Sequence, residues 1–202
     1  MKFLIKLLAL SVLSITAHAS AMDDFRAFIT STQSARADFT QTVIDVKGKT
    51  TQQASGTLAF VRPGKFRWQY IKPAQLIVGD GKKVSFFDED LNQVTVKKLE
   101  KAFASTPAAL LAGKSEVEAA FTMVAGGESD GLAWINAEPK SKDAGIEKVR
   151  LGFQKGQLAA MELQDSFGNR TRITFNKFER NPKIDAKEFV FIPPKGADVV
   201  SE

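Results

Sequence analysis

Arg62 is the residue whose placement asks most directly for chemistry. It closes the run Leu58-Ala59-Phe60-Val61 and opens a Pro63-Gly64 turn, beyond which lie Phe66, Trp68 and Tyr70. Side chains alternate between the faces of a strand, so with the turn at Pro63-Gly64 this spacing predicts Phe66, Trp68 and Tyr70 on one face and Leu58, Phe60 and Arg62 on another. A guanidinium that ends an apolar row can point into water beside the turn. Turned inward, it brings five donors and no acceptor, and burial without partners is costly. The unpaired carbonyls at the end of a nearby helix would satisfy it. That chemistry is hydrogen bonding, not bond breaking.

Groups that could break bonds are few. The single histidine, His18, falls in the N-terminal leader described below, and the chain has no cysteine. The commonest neutral-pH bases, thiol nucleophiles and zinc ligands are therefore missing from the rest. A hydrolase built on carboxylates would have Asp88, Glu89 and Asp90 to work with, but these sit at an expected turn tip, where solvated charge is the simpler explanation. We expect no enzyme, no metal, no cofactor and no nucleotide.

Phenylalanine is the unusual component: 16 Phe against one Tyr and two Trp. A space lined by such rings offers apolar area with few hydrogen-bonding groups. It suits an ordinary β-protein core or a cavity for acyl chains, and composition leaves both open.

The leader reads as a secretory signal over residues 1–19. Lys2 and Lys6 precede an apolar run, and Ala17-His18-Ala19 fits signal-peptidase cleavage. The mature chain then starts at Ser20, or at Met22 if Ala19-Ser20-Ala21 is cut. It makes one domain, residues 20–202, with 26 basic and 23 acidic side chains once Lys2 and Lys6 are removed. The excess is mild and the lysines are scattered, so no nucleic-acid footprint is expected.

An amphipathic first helix is expected from the stripe Met22, Phe25, Phe28, Ile29, Ala35, with Asp23 and Asp24 at its N-terminal end. Short strands should follow at 39–46, 56–62, 65–70, 75–78, 84–87 and 94–97, divided by turns such as Asp80-Gly81. Thr106-Pro107 to Gly113 reads as a short apolar helix around Ala108, Ala109, Leu110 and Leu111. Strands resume at 121–124, 132–137, 148–153, 158–163, 171–178 and 188–192, with turns at Gly126-Gly127, Gln154-Lys155-Gly156 and Phe167-Gly168-Asn169. The sum is a mainly β (α+β) chain of eleven or twelve strands in an antiparallel meander with a few helices. So wide a sheet must curl or be covered.

Several of these residues together resemble the LolA family of periplasmic outer-membrane lipoprotein carriers. The likeness rests on a signal followed by a helix, Phe39-Thr40-Gln41, Arg62-Pro63-x-x-Phe66-x-Trp68, Asp80-Gly81 before an aromatic strand, Thr106-Pro107, and Phe189-x-Phe191-x-Pro193-Pro194-x-Gly196-x-Asp198-Val199. The resemblance implies a single curved sheet forming an unclosed β-barrel, lidded by helices over a hydrophobic cavity. It implies a periplasmic chaperone that takes the acyl chains of lipoproteins released by an inner-membrane ABC transporter and delivers them to an outer-membrane receptor. Arg62 would be the lid latch; Leu58, Phe60, Phe66, Trp68, Tyr70, Phe86, Leu110 and Leu111 would line the cavity. A monomer is expected. The rivals are a periplasmic binding protein for another hydrophobic ligand and the carboxylate hydrolase.

Overall fold

Period-two alternation carries most of the chain into strands, and one sheet collects them all. The computed structural model describes residues 20–102, 106–140 and 146–202; the expected signal, residues 1–19, lies outside the described residues. The strands are β1 (Ser34–Ile44), β2 (Thr50–Val61), β3 (Lys65–Tyr70), β4 (Gln75–Asp80), β5 (Lys83–Asp88), β6 (Gln93–Lys98), β7 (Phe121–Ser129), β8 (Leu132–Pro139), β9 (Ile146–Gln154), β10 (Gln157–Asp165), β11 (Arg170–Arg180) and β12 (Asp198–Ser201). They pair in the order β12-β6-β5-β4-β3-β2-β1-β11-β10-β9-β8-β7, antiparallel except for β12 on β6. Its two edges, β12 and β7, do not pair with each other, so the curved sheet is unclosed.

The helices are α1 (Ala21–Ser31), α2 (Leu99–Ala102), α3 (Pro107–Ala112) and α4 (Ser115–Ala120). Ser20 caps α1, its Oγ accepting from the Asp23 N–H at 3.2 Å, and Asp23 and Asp24 stand in the first turn. The stripe Phe25, Phe28, Ile29 is buried against β7–β10, while α3 lies on β2 and β3. Both sit on the concave face.

Three expectations are corrected. Ala35 belongs to β1, because the chain leaves the helix at Thr32 and pairs with both β2 and β11 from Ala35 onward. Gly126-Gly127 is a bulge inside β7, with the register shifting between Ala125 and Glu128; the turn is Asp130-Gly131, both at positive φ. Residues 188–192 form no strand: Asp185 caps a 3-10 turn at Ala186–Phe189, and Phe191 packs on Phe87 at a ring-centroid distance of 5.7 Å on the convex face. The strand near the C-terminus is instead β12.

In three cross-strand pairs an aromatic ring lies over the glycine opposite it: Phe39 on Gly56, Phe66 on Gly79, and Trp134 on Gly152. A Cβ at Gly79 would lie 2.4 Å from the Phe66 ring, and one at Gly152 2.9 Å from the Trp134 ring. The ring occupies the place of the missing side chain, which pins register across the sheet.

Candidate functional site

The β2–β3 hairpin is the base of the site, and its turn is three residues long. Arg62, Pro63 and Gly64 stand outside both strands, so Phe60 opposes Phe66 and Leu58 opposes Trp68. Directly opposed residues share a face. The two apolar rows expected on separate faces therefore lie together on the concave side. The error came from keeping Arg62 in the strand, which shifts the pairing by one residue and flips one row.

The rows extend across neighbouring strands. One runs Ala35, Phe60, Phe66, Gly79, Val84; the next Ala37, Leu58, Trp68, Ile77, Phe86; a third Phe175, Phe39, Gly56, Tyr70. Rings crowd where they meet, with Phe39 and Trp68 centroids 4.2 Å apart and Phe39 and Tyr70 5.3 Å apart. Leu58, Phe60, Phe66, Trp68, Leu110 and Leu111 are all buried in one cluster shared by the sheet, α1 and α3. Tyr70 and Phe86 are half-buried at its margin. The concave face is thus occupied by the protein's own helices.

Arg62 turns inward and is 6% exposed. Nε donates to the Gly113 carbonyl and Nη2 to the Leu111 carbonyl, each at 2.8 Å; Nη1 donates to the Phe28 carbonyl at 3.2 Å and to the Thr32 carbonyl. The first two acceptors end α3 and the last two end α1, so one fork ties two helix C-termini whose dipoles present partial negative charge. The Phe28 and Phe60 rings lie 4.7 and 5.0 Å from the guanidinium carbon. The hairpin adds Arg62 N–H to the Gln33 carbonyl at 2.8 Å and Gly64 N–H to the Ala112 carbonyl at 3.0 Å.

All four side-chain acceptors are neutral. Burial, aided by repulsion from Arg180, lowers the Arg62 pKa to about 10. The charge therefore persists at neutral pH. Arg180 itself donates to Thr32 Oγ1 at 3.0 Å and Ser31 Oγ at 2.6 Å, bracing the end of α1.

Tyr70 donates to Gln41 Oε1 at 3.0 Å. Burial raises its pKa above the ordinary value. It is the chain's one tyrosine. Absorbance titration should show a single phenol ionising above its ordinary value, and ligand against this face should raise it further by excluding water. A titration unmoved by bound ligand would place the ligand elsewhere.

The carboxylates Asp88, Glu89 and Asp90 sit in the β5–β6 turn, where Asp88 Oδ1 accepts the Leu91 N–H at 3.0 Å. They form a turn at the far end of the sheet from Arg62. A cleft of about 660 Å³ opens between α2 and α4, lined by Gly81, Lys82, Leu99, Glu100, Glu116, Ala119 and Ala120. Because α2 follows β6 and α4 precedes β7, this cleft marks a seam between the two halves of the sheet.

Sequence reasoning missed Phe28, Thr32, Leu111 and Gly113 as partners of Arg62, because they act through carbonyls that every residue carries. It also left out Phe39 and Phe175. Phe39 could have been found from its alternation with Ala35 and Ala37, all three buried.

Residues 30–192 match the family Outer membrane lipoprotein carrier protein LolA. The outer-membrane lipoprotein carrier protein of Dechloromonas aromatica is 51% identical over 95% of this chain and 93% of its own. That of Chromobacterium violaceum is 47% identical over 94% and 91%. Among solved structures, a LolA superfamily protein from Nitrosomonas europaea matches with TM-score 0.50 at 9% identity, over 86% of this chain and 99% of that one. A putative outer membrane lipoprotein-sorting protein domain from Vibrio parahaemolyticus matches with TM-score 0.51 at 10% identity, over 83% and 95%. The structural likenesses concern the fold.

Proposed function

The chain belongs to the LolA family of outer-membrane lipoprotein carrier proteins, and we propose that it serves as a periplasmic chaperone whose concave sheet receives lipoprotein acyl chains when α1 and α3 lift. The observation that carries this reading is a buried guanidinium whose hydrogen-bond acceptors among the described residues are main-chain carbonyls at the ends of two covering helices. Residues 1–19 act as the export signal. Arg62 is the latch, and Leu58, Phe60, Phe66, Trp68, Tyr70 and Phe86 on the sheet, with Leu110 and Leu111 on the lid, are the surfaces that cargo separates.

Magnitudes favour a near-balanced exchange. Burying an acyl chain gains about 0.8 kcal/mol per methylene, so a lipoprotein with several chains does not leave into water on a useful timescale. Cargo and lid compete for the same rings, so entry replaces one apolar contact with another and the latch supplies the bias. Hydrogen bonds to a charged group contribute about 1.5–3 kcal/mol each, set against the desolvation that closure demands. A loading step drives the lid open, and the returning latch favours unloading. The cleft between α2 and α4 is where tails enter.

The loading machine is an inner-membrane ABC transporter, and the acceptor an outer-membrane lipoprotein receptor. Adding the purified protein to spheroplasts should release a newly acylated lipoprotein as a soluble complex. Lipoprotein that stays with the spheroplasts would sink the reading. A fluorescent fatty acid should also bind the protein and be displaced by lipoprotein, whereas a hydrolase would turn substrate over.

A further inference from the structure

Two hairpin turns at the end of the sheet remote from Arg62 are built alike. Asp45-Val46-Lys47-Gly48-Lys49 joins β1 to β2, and Asp165-Ser166-Phe167-Gly168-Asn169 joins β10 to β11. In each, the first aspartate's N–H donates to the fifth residue's carbonyl and the glycine N–H to the aspartate carbonyl. In each, the aspartate Oδ1 accepts the N–H groups of the third and fifth residues, at 2.8–2.9 Å. The glycines take φ of +81° and +82°, a conformation open to residues without a Cβ.

The turns are neighbours, because β1 and β11 pair with Ile44 opposite Arg170. A Cβ on Gly168 would lie 2.9 Å from Val46 Cγ1. Each turn holds a large apolar side chain in water: Phe167 is 82% exposed and Val46 67%. Isolated exposed apolar residues are ordinary. Here, however, two stand side by side on turns too well bonded to fold them away. Lys47, Lys49 and Arg170 are exposed around them, while Asp45 and Asp165 direct their carboxylates into their own turns.

We infer that this paired knob docks on an anionic lipid bilayer, with Phe167 and Val46 entering the headgroup region and Lys47, Lys49 and Arg170 meeting lipid phosphates. A protruding tip with a basic collar suits a soft, negatively charged surface better than the pocket of a protein. This goes beyond the carrier reading, since it concerns the end of the molecule away from the latch. Contact would hold the protein at a membrane without a covalent anchor.

Phe167→Trp in the full-length protein provides a direct reporter, because Trp68 and Trp134 are 1% and 0% exposed and already shielded. With vesicles of phosphatidylethanolamine and phosphatidylglycerol, its emission should shift to the blue and be quenched by brominated lipid. Phe167→Ser should weaken co-sedimentation roughly tenfold or more. Lys47→Gln and Lys49→Gln should each weaken it roughly fivefold. All three positions are exposed, so thermal unfolding should not change. No emission change with any vesicle, or equal response to pure phosphatidylcholine, would overturn the inference, as would Phe167 contacting only a protein partner.

Discussion

Arg62→Leu is expected to yield a protein that loads lipoprotein but hands it on poorly. In the closed form the substitution leaves the carbonyls of Thr32, Leu111 and Gly113 without the Arg62 donors that satisfy them, while the Phe28 carbonyl keeps the Thr32 N–H. Each orphaned carbonyl disfavours closure by about 1–3 kcal/mol. In the open form the same carbonyls face water and lose little. The penalty thus falls on the empty, closed state, and a net shift of about 3 kcal/mol moves the partition between open and closed by roughly two orders of magnitude. Transfer from purified loaded variant to receptor-bearing membranes measures the effect. Delivery at the normal rate and extent would remove the latch from the mechanism. Arg62→Lys sharpens the test: one ammonium cannot span acceptors on two helices as a planar fork does, so it should rescue only in part.

The largest loss of stability is expected from Gly56→Ala. A Cβ there would lie 2.0 Å from the Gln69 carbonyl oxygen and 2.6 Å from the Phe39 ring. The first obstacle is backbone in the paired strand β3, and the second is a ring already packed on Trp68 at 4.2 Å. Neither can retreat without opening the sheet. Overpacking of this kind costs about 3 kcal/mol, which for a domain of this size lowers Tm by roughly 6–12 °C. Thermal unfolding followed by circular dichroism would show it. An unchanged Tm would mean that β2 and β3 separate more readily here than their register indicates.

Much of this fold is legible in residue patterns because most elements announce themselves locally. Lys65 to Tyr70 alternates and stays a strand with those very bounds, and Thr106-Pro107 opens α3 at the expected place. Failures occur where a distant partner decides. Gly126-Gly127 has the look of a turn, but β8 continues past it and absorbs it as a bulge. Phe189-x-Phe191 alternates like a strand, yet Asp185 starts a 3-10 turn and the segment covers the convex face of β3 and β4. Within the site, Arg62 could be singled out because a cation after an apolar row demands an explanation. Its partners could not, since a carbonyl leaves no mark on residue identity. The single-residue error in hairpin pairing had the same origin: whether Arg62 stays in β2 depends on helices that lie 30 or more residues away in the chain.

Because the helix side of the latch consists wholly of main-chain oxygen, its genetics should be lopsided. A screen for carriers that fail to unload would recover changes at Arg62 itself, whereas ordinary replacements at Thr32, Leu111 or Gly113 keep the acceptor in place whatever side chain they bring. Thr32 also braces Arg180 through its hydroxyl and Leu111 packs in the core, so changes there would act through the helix rather than through the fastening, whose loss has a single codon to act upon.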